Sequence, residues 1–162
     1  MIDIFDSETI VKIYRMLTKK CDAIDAFIKN HAFYFGPFTE EYGSLDVCNN
    51  IIDLMTRKNQ LINLKIIVDS AVKTLSVDDR QVLTLKMNYS ISMDELRGIL
   101  NLKERTAFRK VERAIANLTN ALNKSRYVNK LEKILTNEDW IANVRCEVQE
   151  RRMSYKCGVL GA

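Results

Sequence analysis

Ile91-Ser92-Met93-Asp94-Glu95-Leu96-Arg97-Gly98-Ile99-Leu100-Asn101-Leu102-Lys103-Glu104-Arg105-Thr106 is the stretch that decides the fold. Ser92 and Glu95 stand three apart, the spacing at which a hydroxyl and a carboxylate satisfy each other's early backbone N–H groups, so a helix starts there. Leu96, Ile99 and Leu100 fall on the inner side of this short helix. Asn101 occupies the point where the chain must turn sharply, and Asn tolerates positive φ better than any residue except Gly. Leu102 fills the space beneath the turn. A second helix opens in Lys103-Glu104-Arg105-Thr106. Its 3.6-residue period turns Ala107, Val111, Ala114, Ile115 and Leu118 inward, and Arg105, Phe108, Arg109, Glu112 and Arg113 outward. Two helices joined by a turn of about four residues make a helix-turn-helix, here Ser92 to Leu122.

Charge singles out the same stretch. The net charge is +4, but residues 97–133 hold ten Lys/Arg against three Asp/Glu, a local +7. Residues 1–75 hold nine against ten, 76–96 two against four, and 134–162 four against four. A concentrated basic field suits a polyanion, because neutralising phosphates releases condensed counterions. The expected partner is therefore double-stranded DNA, with the second helix leading its N-terminal side chains into the major groove. There Arg reaches both acceptors of guanine and Glu accepts from cytosine. The candidate contact residues are Lys103, Arg105, Thr106, Phe108, Arg109, Lys110, Glu112, Arg113, Lys124 and Arg126. Of these, Lys103, Lys110, Lys124 and Arg126 are assigned to phosphates, where they add affinity but no sequence information.

Outward from this core, the sequence predicts an all-α chain. Five Gly and one Pro leave little vocabulary for tight turns. Ser7 is the expected N-cap of a helix with Ile10, Tyr14, Leu17, Cys21, Ile24 and Ile28 on one stripe. From His31 to Gly43 the pattern breaks into a loop whose rings, Phe33, Tyr34, Phe35, Phe38 and Tyr42, fold onto the helices. Ser44 opens a second helix through Val47, Ile51, Ile52, Leu54 and Met55, and a further helix is expected from Gln60 to Leu75. Ser76-Val77-Asp78-Asp79 reads as a capping box for a helix with Val82, Leu83, Leu85 and Met87, ended by a turn at Asn88-Tyr89-Ser90. Thr136-Asn137-Glu138-Asp139 reads as another, opening a last helix through Trp140, Ile141, Val144 and Val148, with a frayed tail after Arg152. The organisation expected is a helical part over 1–75, the helix-turn-helix over 76–125, and a C-terminal helix and tail over 126–162.

Other chemistries find no footing. Cys21, Cys48, Cys146 and Cys157 form no C-x-x-C pair and His31 is the only histidine, so no metal site and no cofactor is expected, and the thiols read as buried and free. A glycine-rich phosphate loop and a recognisable nucleophile setting are both missing, so the chain does not read as an enzyme and no catalytic residue is assigned. No apolar run is long enough to span a bilayer, and the acidic N-terminus does not have the order of a secretory signal. A cytoplasmic location is the expectation.

The stretch Leu75-Ser76-Val77-Asp78-Asp79-Arg80-Gln81-Val82-Leu83 resembles the opening of region four of bacterial sigma factors. Ile91 to Thr106 is similar to the helix-turn-helix that follows in that family, and Val111-Glu112-Arg113-Ala114 to the continuation of its recognition helix. The resemblance covers roughly a third of the chain. Arg97 departs from the small Ala usual there, which implies looser packing or a stem that snorkels outward, and Asn101 replaces the usual Gly. The first half contains no counterpart of the family's promoter-melting region two. The resemblance thus implies a region-four-like DNA reader, of the kind seen in phage late-gene activators of Gram-positive hosts, and not a complete sigma factor. It implies a transcriptional regulator that recruits RNA polymerase, with the first helices or Asp78 to Arg80 contacting the polymerase. The many apolar faces in short helices and the usual two-fold symmetry of such readers add a further expectation, a homodimer with its interface in the 1–75 part. Three other readings stand beside it: an amphipathic hairpin inside an ordinary helical bundle, an adaptor that binds polymerase or a sigma factor, and a DNA-binding subunit of the phage small-terminase type.

Overall fold

The structure is a computed structural model that describes the backbone of residues 1–34 and 44–159 and the side-chain surroundings of 1–30 and 45–154. The described residues are all-α: about 88% of them are helical, and none lies in a strand. The helices are α1 (Ile4–Tyr34), α2 (Ser44–Lys73), α3 (Val77–Tyr89), α4 (Met93–Leu100), α5 (Glu104–Asn123), α6 (Val128–Asn137) and α7 (Asp139–Val159). None of them is long and apolar enough to cross a membrane.

α1 is the axis. It packs against α2, α3, α5 and α7, and α3 and α4 both pack on α5. The reason is its side-chain spacing. The predicted stripe holds, with Ile10, Leu17, Cys21 and Ile24 buried, and Val11 and Ile13 widen it so that several helices can pack on it at once. One buried cluster runs from Ile2 through Leu64, Leu83, Leu96, Leu118 and Leu131 to Ile141, drawing on residues 1–75, 76–125 and 126–162 alike.

Several local expectations are corrected. Ser7 is not the first cap. Asp3 is: its carboxylate accepts from the Asp6 N–H (2.7 Å) and the Asp6 carboxylate accepts from the Asp3 N–H (3.0 Å). Ser7 lies a turn inside α1, fully buried, with the Thr119 hydroxyl of α5 2.8 Å from its own. Arg145 of α7 then clamps both aspartates, at 2.5 Å to Asp6 and 2.8 Å to Asp3. The first helix also continues past His31 to Tyr34. The ring-packed loop expected after it falls largely outside the described residues.

The two helices expected over 44–75 are a single one. Thr56 to Gln60 is polar but contains no breaker, so nothing interrupts the backbone ladder. The turn expected at Asn88-Tyr89-Ser90 begins two residues later, with Ser90 alone left-handed at φ 50°. Thr136 does not cap the last helix: its hydroxyl donates back to Glu132 and Lys133 within α6, a helix the sequence reading did not separate. Glu138 holds the junction. Its carbonyl accepts from Ile141 and Ala142, and its buried carboxylate takes the Arg57 fork of α2 (2.7 to 3.0 Å) and the Trp140 indole N–H (2.8 Å). α7 continues past Arg152 to Val159 instead of fraying. Cys21 is buried as expected, but Cys48 and Cys146 are exposed thiols.

Candidate nucleic-acid interface

The α4–α5 pair is built by its local sequence. The Ser92–Glu95 capping box is complete: the Ser92 N–H donates to the Glu95 carboxylate (2.8 Å) and the Glu95 N–H to the Ser92 hydroxyl (3.2 Å). The N–H bond from Ser92, with the hydroxyl bond behind it, holds the Glu95 carboxyl below its usual range. At the other end Asn101 is left-handed, φ 49° and ψ 51°. The Asn101 N–H donates to Gly98 (3.4 Å) and the Leu102 N–H to Arg97 (3.0 Å), the two bonds of a Schellman turn that satisfy orphan carbonyls of α4. Leu96 and Ala107, both fully buried, close the angle between the helices. Ile99, expected on the inner side, is 56% exposed, because a helix of eight residues has room for one buried stripe and Leu96 and Leu100 take it.

Arg97 resolves as an outward-reaching stem. Its guanidinium lies 3.0 Å from Asp94 and 3.9 Å from Glu104, tying α4 to the first turn of α5, with the side chain as a whole 37% exposed.

The predicted contact residues separate into three groups. Lys103, Arg105, Thr106, Phe108 and Arg109 all stand exposed on the first two turns of α5. No acid lies within ion-pair distance of Lys103, Arg105 or Arg109 among the described residues. Lys110, Glu112 and Arg113, further along, are engaged within the protein. Lys110 lies 3.5 Å from Asp78, Arg113 lies 3.2 Å from Asp79, and Glu112 accepts from Arg152 of α7 (3.0 Å). Lys124 and Arg126 are exposed but lie past the C-terminal end of α5, about 28 Å along the helix axis from Arg105. Arg126 stacks on the Tyr127 ring at 4.7 Å. The structure therefore brings five of the ten together and places the other five elsewhere.

The Leu75–Leu83 stretch turns out to anchor α5. Ser76 caps α3 by accepting from the Asp79 N–H (3.2 Å). The Asp79 carboxylate does not return to the cap backbone but crosses to α5, accepting from Asn117 Nδ2 (2.7 Å) and Arg113 Nε (3.2 Å). Burial alone would push Asp79 up, but the hydrogen bonds from Asn117, Ser76 and Arg113 outweigh it and hold its carboxyl below the usual range. Arg80 donates to the carbonyls of Lys73 and Leu75, closing the end of α2 (3.0 and 3.2 Å). Asp78, Asp79 and Arg80, expected to face a polymerase, spend these bonds on holding the helices together.

Sequence reasoning missed Asn117 and the structural use of Asp79. The available signal was the apolar period of α5, which puts Arg113 and Asn117 one turn apart on a single edge. No family model, curated protein or solved structure matches this chain.

Proposed function

We propose that this chain is a sequence-specific, DNA-binding transcriptional regulator that reads the major groove with the first two turns of α5. The observation that carries the reading is the exposed cluster of Lys103, Arg105 and Arg109, cations with no acid partner among the described residues, at the leading end of a helix braced from behind by α3 and α4. Unpaired guanidinium groups at a helix N-terminal end are available to guanine O6 and N7 without the cost of breaking an internal pair. Arg105 and Arg109 are the base-reading candidates. Lys103 and Thr106 flank them as phosphate contacts, and Phe108 offers an apolar edge to a thymine methyl.

Lys110, Glu112 and Arg113 hold the reading helix in place through Asp78, Arg152 and Asp79. Lys124 and Arg126 lie too far along α5 to share the groove entered by Arg105. Recruitment of RNA polymerase is the regulatory step of this reading, with the first helices or the exposed Asp78 and Arg80 as the contact surface.

The test is binding of the purified chain to fragments of its own upstream region and to scrambled controls at two salt concentrations. Fragment-selective binding that weakens with salt supports the reading. Absence of binding at low salt overturns it and favours the adaptor alternative, which pull-down of RNA polymerase and sigma factor would then examine.

A further inference from the structure

α2 carries two apolar faces. Leu61, Leu64, Ile67 and Val68 enter the core. On the opposite side Leu45, Ile52, Met55, Ile62 and Ile66 are 71, 58, 52, 39 and 55% exposed. Cys48 and Asn59, both exposed, complete the row. The steps along it alternate strictly, three, four, three, four, three, four, from 45 to 66. That is a heptad seam with Leu45, Ile52, Asn59 and Ile66 at its a positions and Cys48, Met55 and Ile62 at its d positions. A globular helix needs only one apolar stripe, and a second one with a 3.5-residue period fits a neighbour wound around it at a shallow angle.

We propose that this face is the seam of a parallel two-stranded coiled coil formed with α2 of a second copy of the chain. The occupant follows from three observations. The first is area: the five apolar side chains alone leave on the order of 500 Å² in one row, near the top of what a monomer exposes in one patch (roughly 300–600 Å²).

The second is Asn59. A single Asn at an a position has no partner on an apolar helix, but in a parallel, in-register pair it meets its own copy and the two amides hydrogen-bond. The third is charge. No a or d position from 45 to 66 is charged, and the flanking positions carry Lys58 and Lys65. In a parallel pair these face Asn63 and Ser70 of the second copy. In an antiparallel pair Lys58 would face Lys58 or Lys65, like against like. Within its own chain Lys58 leans onto Asp25 of α1 (2.7 Å) and Lys65 onto Thr18 (3.1 Å), which leaves the seam itself clear.

The test uses the full chain. Sedimentation over a range of micromolar concentrations should give a concentration-dependent mass of two chains. The Ile52→Glu/Met55→Glu variant should stay monomeric with unchanged helicity by circular dichroism, since both side chains face solvent in the folded chain. Orientation is read from Cys48, a d position that a parallel seam sets against its own copy. In a Cys146→Ser/Cys157→Ser background, diamide should join the two Cys48 thiols as a disulfide, the two protons and two electrons passing to diamide to give the hydrazine, and Cys48→Ser should abolish the linked dimer.

A monomeric mass for the parent chain, or a dimer that survives the double glutamate variant, overturns the seam. A dimer that does not cross-link through Cys48 overturns the parallel arrangement. No DNA enters these measurements, so the proposal stands or falls separately from the DNA reading.

Discussion

Asp79 and Arg113 form an ion pair at 3.2 Å across 34 residues of sequence, with the Asp79 side chain 4% exposed and the Arg113 side chain 54% exposed. The asymmetry gives the two ends different parts. The carboxylate is the buried anchor that also accepts from Asn117, while Arg113 lies over it at the rim. An arginine on the outer face of α5 thus positions the reading helix against α3.

Asp79→Ala should lower stability by about 1–3 kcal/mol, because Asn117 and Arg113 lose a buried acceptor. The figure is kept below that of a fully buried pair because Arg113 is half in water. Urea denaturation of the two proteins measures it, and equal midpoints would refute the anchoring role. The pH dependence has a definite sign. The folded-state pKa of Asp79 is depressed, so its contribution is fully present above the ordinary Asp range and is lost as pH falls through the folded value. The gap between Asp79→Ala and the parent chain should therefore be wide at neutral pH and narrow below about pH 4.

Asn101 sits at φ 49°, so Asn101→Gly should be neutral or slightly stabilising, whereas Asn101→Val should cost about 1–2 kcal/mol by forcing a β-branched residue into the left-handed region. Thermal melts of the two variants decide it. A Val variant as stable as the Gly variant would show that the α4–α5 turn does not depend on this backbone state.

Within the proposed DNA reading, Arg105→Ala and Arg109→Ala should each weaken cognate binding by about 10- to 100-fold and flatten the preference over scrambled DNA. Lys124→Ala should change binding much less, since it lies about 28 Å from Arg105 and about 22 Å from Arg109 along the helix axis. Titrations at fixed salt test the contrast. A Lys124 effect equal to that of Arg109 would mean that the duplex lies along α5 instead of meeting its leading end.

Glu138→Ala should release both Arg57 and the indole of Trp140, the only tryptophan in the chain. The expected cost is roughly 2 kcal/mol, with a red shift of the tryptophan emission as α6 and α7 loosen from α2. An unshifted spectrum together with an unchanged melting temperature would show that the Glu138 junction bears no load.

What the sequence by itself determined is what a few consecutive residues decide. The Ser92–Glu95 box, the left-handed Asn101 and the inward row from Ala107 to Leu118 depend on hydrogen bonds and spacings inside one or two turns, so they could be read before any fold was known. The cluster at Lys103, Arg105 and Arg109 was legible for the same reason. Tertiary structure decided everything that depends on which face meets which. Only packing tells that Asp79 crosses to Asn117 instead of returning to the backbone of its cap, that Ser7 is buried against Thr119 instead of starting a helix, and that Ile99 and the Leu45–Ile66 row are left uncovered by the other described helices. A buried polar group takes whichever partner removes its desolvation cost most completely, and that partner can lie anywhere in the chain. Periodicity marks an apolar stripe but not what covers it, so a row facing the core and a row left exposed look alike until the helices are placed.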